Sequence, residues 1–298
     1  MQIGLIGLGK MGFNLALNMH RHGHEVIAYD VNPDTCKSIQ EKGIRTVDSL
    51  QHLTESLSTK RIIWLMIPAG ELVDQTINSI KHLLSVGDII IDGGNSFFKD
   101  SVRRARELEA LQIDFLDCGT SGGTSGAREG VCAMIGGNKF AFQYCENLFQ
   151  DIAIPDGYLY CGKSGSGHFV KMIHNGIEYG MMQAIAEGFE VMHKSDFNLN
   201  LENVAKVWNH GSVVRSWLME LTENALRKDP NLSSIKGIMH SSGEGKWTLD
   251  TALENQVATP VIALSLMMRY RSLEDDTFSG KVVAALRNEF GGHSVVKN

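Results

Sequence analysis

The chain has 298 residues, a formal net charge of −6, and a composition that is 43% hydrophobic and 21% charged, with 31 Gly and 5 Pro. That length predicts one large or two medium domains with real cores, and the composition excludes intrinsic disorder and collagen-like or low-complexity character. A pI of about 6.0 argues against a general nucleic-acid binder, and no run approaches the roughly 18 uncharged apolar residues of a membrane span.

In chain order, Met1-Gln2-Ile3-Gly4-Leu5-Ile6-Gly7 lacks a basic segment ahead of a long apolar core, so no secretory signal is expected. Residues 3–6, 25–29, 61–67, 88–92, 113–117 and 131–135 read as strands, with helical patterns over 10–22, 70–84 and 99–111 between them. Several strands are almost wholly apolar, as in Ile62-Ile63-Trp64-Leu65-Met66-Ile67, which predicts a parallel sheet covered on both faces. The fold class expected is therefore α/β, an N-terminal Rossmann-type doubly wound parallel sheet followed by a mostly α-helical C-terminal domain. After about residue 167 the strand signal vanishes, and 168–193, 201–227, 249–272 and 279–290 have helical period. The expected division is 1–165 for a dinucleotide-binding domain and 166–298 for an all-helical substrate and dimerisation domain. Cys36, Cys118, Cys132, Cys145 and Cys161 form no C-x-x-C pair, which fits reduced thiols in a cytoplasmic protein.

Gly7-Leu8-Gly9-Lys10-Met11-Gly12 matches G-x-G-x-x-G directly after a predicted strand and at the start of a predicted helix. Gly7 suits the tight turn, Gly9 close approach to a pyrophosphate, and Gly12 helix–strand packing, while the helix N-terminus offers N–H groups and a favourable dipole. Asp30, 18 residues after Gly12 at the end of the next strand, can accept hydrogen bonds from adenosine ribose hydroxyls. Its charge repels a 2′-phosphate and no Arg follows to neutralise one, so NAD is expected over NADP. Met66, Ile67 and Asn95 are also placed on the cofactor side.

Lys171, His174, Asn175, Glu178 and Tyr179 fall at i, i+3, i+4, i+7 and i+8, one face of a helix whose remaining residues are largely apolar. Two readings stand: a solvated stripe or satisfied polar network, or a narrow polar strip facing a cleft. In the cleft, Lys171 with its pKa lowered by burial serves as a base and Glu178 as an acid, while His174, Asn175 and Tyr179 orient a hydroxyl- and carboxylate-bearing substrate. Asp92-Gly93-Gly94-Asn95-Ser96 and Ser121-Gly122-Gly123-Thr124-Ser125-Gly126 follow strands and read as tight turns or as walls of a substrate pocket. Lys246, in Gly243-Glu244-Gly245-Lys246-Trp247-Thr248, suits either phosphate contact or an exposed loop. Arg287 and His293 suit either anion capture or a surface helix end. His20-Arg21-His22-Gly23-His24 reads as a solvated helix C-cap, and no metal site is expected.

Ile91-Asp92-Gly93-Gly94-Asn95-Ser96, Ser121-Gly122-Gly123, the run from Gly167 through Lys171-Met172-Ile173-His174-Asn175-Gly176-Ile177-Glu178-Tyr179 to Gly180, and Gly245-Lys246-Trp247-Thr248 together resemble the decarboxylating 6-phosphogluconate dehydrogenases. The resemblance spans nearly the whole chain. It implies oxidation of 6-phospho-D-gluconate to ribulose 5-phosphate and CO2 in the pentose phosphate pathway, without metal. It implies that Lys171 is the base and Glu178 the acid that protonates the enediol carbon. Asn95, Ser121, Gly122, Gly123, His174 and Asn175 then hold substrate, with Tyr179, Lys246 and Thr248 near its phosphate. Arg287 and His293 match a tail that reaches a neighbouring subunit's site, which implies a homodimer or homotetramer with a shared active site.

Two departures from the family pattern stand out. Where long members carry a phosphate-binding Arg, Ser272-Leu273-Glu274-Asp275-Asp276 leads here to Thr277, leaving Arg269 or Arg271 as substitutes. Where NADP-dependent members have Asn-Arg-Thr, this chain has Asp30-Val31-Asn32. The chain also runs from its helical domain straight to Arg287 and His293, which by resemblance implies a short form reliant on subunit association. The alternatives are a dehydrogenase of another 3-hydroxy acid such as 3-hydroxyisobutyrate, or a non-catalytic NAD-sensing regulator, for which Lys171 and Glu178 would have no use.

Overall fold

The computed structural model describes residues 1–297. It falls into two compact units, Met1–His174 and Asn175–Asn298. The first holds an eight-stranded sheet in the order β3-β2-β1-β4-β5-β6-β7-β8. Strands β1 (Gln2–Ile6), β2 (Glu25–Tyr29), β3 (Arg45–Thr46), β4 (Ile62–Leu65), β5 (Ile89–Asp92) and β6 (Asp114–Ser121) run parallel. Every residue of β4 and β5 is buried, because the helices α1 (Lys10–Arg21), α2 (Pro33–Gln40), α3 (Leu50–Glu55), α4 (Glu71–Ile80) and α5 (Phe98–Glu109) pack on the sheet. Alternate strand residues feed two cores: Ile3, Leu5, Trp64 and Ile91 point into one, and Ile6, Ile63, Leu65 and Ile90 into the other. The expected doubly wound architecture is present.

Its last strands differ from the expectation of an all-parallel sheet. β7 (Val131–Gly137) runs antiparallel to β6, because the link 122–130, which holds only α6 (Gly123–Glu129), is too short for a parallel crossover of a dozen or more residues. After α7 (Lys139–Ile152), β8 (Ala153–Gly162) pairs parallel to β7 with register shifts. β8 was not expected. It is an edge strand, and its Pro155 and Gly157 fall in the register shift between the partners of Val131 and Ala133, where the ladder is interrupted.

The long helix α8 (Ser166–His193) begins in the first unit and ends in the second. The second unit continues with α9 (Leu201–Gly211), α10 (Trp217–Lys228), α11 (Glu244–Glu254), α12 (Pro260–Arg271) and α13 (Phe278–Gly291). The predicted span 201–227 is two helices because the Ser216 hydroxyl accepts from Met219 N–H and starts α10 afresh. The predicted span 249–272 divides likewise, with Pro260 at the start of α12. Phe189, Ala205, Met219 and Leu226 form this unit's own small core. No described helix is long and apolar enough to cross a membrane.

Candidate active site

The chain turns sharply after β1. Gly7 has φ 98°, and a Cβ there would lie 2.5 Å from the Met66 carbonyl oxygen. At Gly12 a Cβ would lie 2.0 Å from the Gly7 carbonyl oxygen, so α1 starts in direct backbone contact with the turn. Gly9 is the N-cap of α1 and carries no side-chain cap. A Cβ there would meet nothing within 4 Å, which leaves the helix N-terminus open to an anionic ligand. Asp30, just past β2, accepts from Leu8 N–H at 2.6 Å and from Asn32 N–H at 2.8 Å, placing its carboxylate against the glycine turn. Met66 and Ile67 follow β4 and wall the same turn. Lys10 is exposed and Met11 half-buried on the first turn of α1. An open helix terminus with a carboxylate beside it fits a dinucleotide whose ribose hydroxyls are unmodified.

The turn after β5 adjoins this wall, since a Cβ at Gly94 would sit 2.9 Å from the Ile67 carbonyl oxygen. Asn95 projects from it with a buried Oδ1 that has no hydrogen-bond partner. Asp92 is fully buried and accepts from Ser96 Oγ at 2.7 Å, Gly94 N–H at 3.2 Å and Arg104 Nη1 at 3.4 Å. Arg104, itself buried, also donates to Asp74 at 2.7 Å and to the Gly70 carbonyl at 3.0 Å. Burial works against ionisation of Asp74, but hydrogen bonds from Arg104 and Arg103 outweigh it and hold the carboxyl below its ordinary range. Asp92 and Arg104 thus pin the Asn95 turn to the sheet, a support that sequence reading missed.

On the predicted polar face of α8, Lys171, Asn175 and Tyr179 are buried and His174 and Glu178 half-buried, while several apolar residues of the helix are exposed. Lys171, Asn175 and Tyr179 are 5%, 8% and 6% exposed, against 51% for Ile177 and 42% for Met181. A solvated stripe is thereby excluded. Within the first unit, Lys171 Nζ lies 3.4 Å from His174 Nδ1, and His174 Nε2 lies 3.3 Å from Ser121 Oγ. Ser121 is the last residue of β6, so the sheet and the helix meet at this chain of polar atoms. The segment Ser121–Gly126 is not the loop expected. Gly122, with φ 115°, turns the chain and is the N-cap from which α6 begins at Gly123.

Within the second unit, the Tyr179 ring packs against Gly245, where a Cβ would lie 2.5 Å from Cε2. Its hydroxyl accepts from Ser242 N–H at 3.4 Å, and the Arg269 guanidinium stands 3.6 Å over the ring. Thr248 is buried, donates to the Glu244 carbonyl at 2.8 Å and fills the space beside Gly176. Glu178 is half-buried on the face of α8 shared with Asn175. Lys246 is not in a flexed loop: it lies in α11 and pairs with Asp250 at 2.6 Å, and that hydrogen bond raises its pKa. Thr277, where the resemblance set a phosphate-binding Arg of long members, is the N-cap of α13, its hydroxyl accepting from Gly280 N–H at 3.1 Å. Arg271 turns onto the Glu274 carbonyl at the end of α12, whereas Arg269 shares Tyr179. Arg287 lies on α13, none of whose residues is buried, and His293 follows it with its carbonyl bonded to Asn288. The structure joins neither residue to the others described here.

The histidine cluster needs one correction. His22 and Gly23 do end α1, but His24 is buried, with Nδ1 3.1 Å from the Met1 amine and Nε2 3.1 Å from Asp151. It is a packed structural residue, brought inward because β2 begins at the next position.

Two family models match the chain. Residues 2–162 match the NAD binding domain of 6-phosphogluconate dehydrogenase, and 167–295 match the 6-phosphogluconate dehydrogenase C-terminal domain. The Bacillus subtilis protein YqeC is 57% identical over 297 residues, covering 100% of both chains. The NAD(+)-dependent, decarboxylating 6-phosphogluconate dehydrogenase of Haloferax volcanii is 43% identical over 299 residues, covering 100% of this chain and 99% of that one. The structure of Plasmodium falciparum 6-phosphogluconate dehydrogenase superposes with a TM-score of 0.86 at 31% identity, covering 100% of this chain and 66% of that chain. With both units matched in order, this chain belongs to the 6-phosphogluconate dehydrogenase family of oxidoreductases.

Proposed function

We propose that this chain oxidatively decarboxylates 6-phospho-D-gluconate to D-ribulose 5-phosphate and CO2, a step of pentose phosphate metabolism, with NAD preferred to NADP. The observation that carries the reading is the buried Lys171 on α8, with Nζ 3.4 Å from His174 and the Ser121 hydroxyl beyond it. Residues 1–165 serve the cofactor and 166–298 the substrate. Gly7 to Gly12 approach the pyrophosphate, Asp30 takes the ribose hydroxyls, and Met66, Ile67 and Asn95 line the way to the nicotinamide. Bound NAD supplies the acceptor for the C3 hydrogen of the substrate.

Lys171 Nζ takes the proton of the C3 hydroxyl, leaving a ketone at C3 once the C3 hydrogen departs as hydride. The carboxylate is then β to a carbonyl. As the C1–C2 bond breaks and CO2 leaves, its electron pair forms the C2–C3 double bond, and Lys171 returns its proton to the C3 oxygen. Glu178 protonates C2 of the resulting enediol while Lys171 again takes the hydroxyl proton, giving the product ketone. Glu178, half-buried on the polar face of α8, is the carboxyl group proposed as this acid. Asn95, Ser121, Gly122, Gly123, His174 and Asn175 hold the sugar acid, and Tyr179, Lys246 and Thr248 its phosphate. Arg287 and His293 act in the site of a second copy of the chain, in a homodimer or homotetramer. The exposed Phe278 and Phe290 of α13 support such an association.

Lys171→Met is expected to lower turnover by roughly 10³-fold or more while NAD binding stays within about threefold. Isothermal titration with NAD beside steady-state rates checks this, and substantial residual turnover contradicts the base assignment. Glu178→Gln is expected to depress turnover by about 10²-fold with little change in substrate KM, and wild-type rates remove its role as acid.

A further inference from the structure

We propose that Asp117 and Gly119 are positioning residues for Lys171, so that one face of β6 sets the place of the base on α8. This rests on Lys171 being the base, as proposed above. Asp117, Gly119 and Ser121 alternate along β6 and therefore share a face. The three touch α8 and its approach in order. Asp117 holds the N–H groups of Gly165 and His168, Gly119 abuts Lys171, and Ser121 meets His174. The helix residues 168, 171 and 174 are thus each registered against the strand.

Asp117 is fully buried. Its Oδ1 accepts from Gly165 N–H at 2.6 Å and its Oδ2 from His168 N–H at 2.9 Å. Its neighbour across the sheet, Asp92, is paired with Arg104. No described cation pairs with Asp117. Its charge faces the N-terminus of a 28-residue helix, whose free N–H groups and dipole stabilise it. Glycines bring the two elements into contact. A Cβ at Gly136, the partner of Asp117 on β7, would lie 2.7 Å from both Asp117 Oδ1 and Ser166 Oγ. A Cβ at Gly167 would lie 2.3 Å from the Met134 carbonyl oxygen and 2.5 Å from that of Asp117.

Gly119 is the closest of these contacts to the chemistry. A Cβ there would lie 2.4 Å from Lys171 Cβ, 2.9 Å from its Cγ and 3.1 Å from the Gly167 carbonyl oxygen. The stem of Lys171 therefore runs directly over the backbone of β6. A carboxylate buried without a cation is costly to folding. A surface cap would have started the helix equally well. Asp117 adds a fixed height and rotation for α8, and proton transfer is sensitive to displacements of about 1 Å.

The test compares wild type, Gly119→Ala, Asp117→Asn and Lys171→Met in steady-state kinetics with 6-phosphogluconate and its C3-deuterated form. Both positioning variants are expected to lose roughly 10- to 100-fold in kcat, with both KM values within about threefold. The deuterium isotope effect on kcat is expected to rise as the chemical step becomes limiting. A purely structural role would lower the amount of active protein and leave KM and the isotope effect at their wild-type values. That outcome, or an unchanged kcat, overturns the proposal. If Gly119→Ala is not recovered folded, Asp117→Asn, isosteric with the native side chain, is read in the same way. Should Lys171→Met retain turnover, the base assignment itself fails. Should it be inactive while the other two match wild type, only the positioning role fails.

Discussion

In the proposed function, Asp30 sets cofactor choice through charge and position together. Its carboxylate is bonded to Leu8 N–H at 2.6 Å, so it is held against the glycine turn, and the 2′-phosphate of a dinucleotide bound there as proposed would meet a carboxylate. Wild type is expected to favour NAD over NADP in kcat/KM by about 100-fold, and Asp30→Ala to narrow that ratio by about tenfold or more. An NADP preference in wild type contradicts the assignment. His24 gives a second expectation at this scale. Burial, together with the nearby Met1 amine, holds its pKa below the ordinary value despite the opposing pull of Asp151. The unfolded chain therefore binds a proton near pH 6.5 that the folded chain resists, and stability is lost as pH falls through that range. The fall in Tm between pH 7.5 and 5.5 should be smaller in His24→Gln than in wild type; equal falls would show that His24 is not responsible.

At the scale of elements, the legible parts of the sequence were those whose neighbours are uniform. β4 and β5 are buried on both faces, and Ile62–Leu65 and Ile89–Ile91 read as apolar runs. α8 carries its polar residues at helical period, so the face bearing Lys171 through Tyr179 could be drawn from spacing alone. β8 could not, because an edge strand with Pro155 and Gly157 has neither pattern. The glycines before α6 and α11 read as loops, whereas Gly122 and Gly243 are helix N-caps, a role that glycine shares with flexible turns. Asp117 and Gly119 were hidden for another reason. Their contacts with α8 and the residue before it lie more than 45 positions along the chain, and no local period reports such a pairing. Arg104 sits in the charged helix α5 and looks like a surface residue, yet it is buried against Asp92 and Asp74. Arg104→Ala would leave Asp92 buried without its cation and is expected to cost about 3–5 kcal/mol, measured by chemical denaturation. A loss below about 1 kcal/mol would mean that the pair contributes little to the Asn95 turn.

Across the whole molecule, the proposed chemistry rests on one long helix and the strand that Lys171 packs on. The five cysteines are free, and burial pushes the Cys118 thiol well up and the Cys145 thiol up to about 12, so neither is a ready nucleophile. In the proposed reaction the acid and base work falls to Lys171 and Glu178, a division that a decarboxylating dehydrogenase needs and a passive NAD sensor does not. The most direct measurement supplies the protein with NAD and 6-phosphogluconate, gluconate or 3-hydroxyisobutyrate in turn and quantifies NADH and CO2 together. The account predicts equal amounts of both products from 6-phosphogluconate, and kcat/KM at least about 100-fold lower for each of the other acids. NADH formed without CO2, or a preference for an unphosphorylated acid, would contradict it.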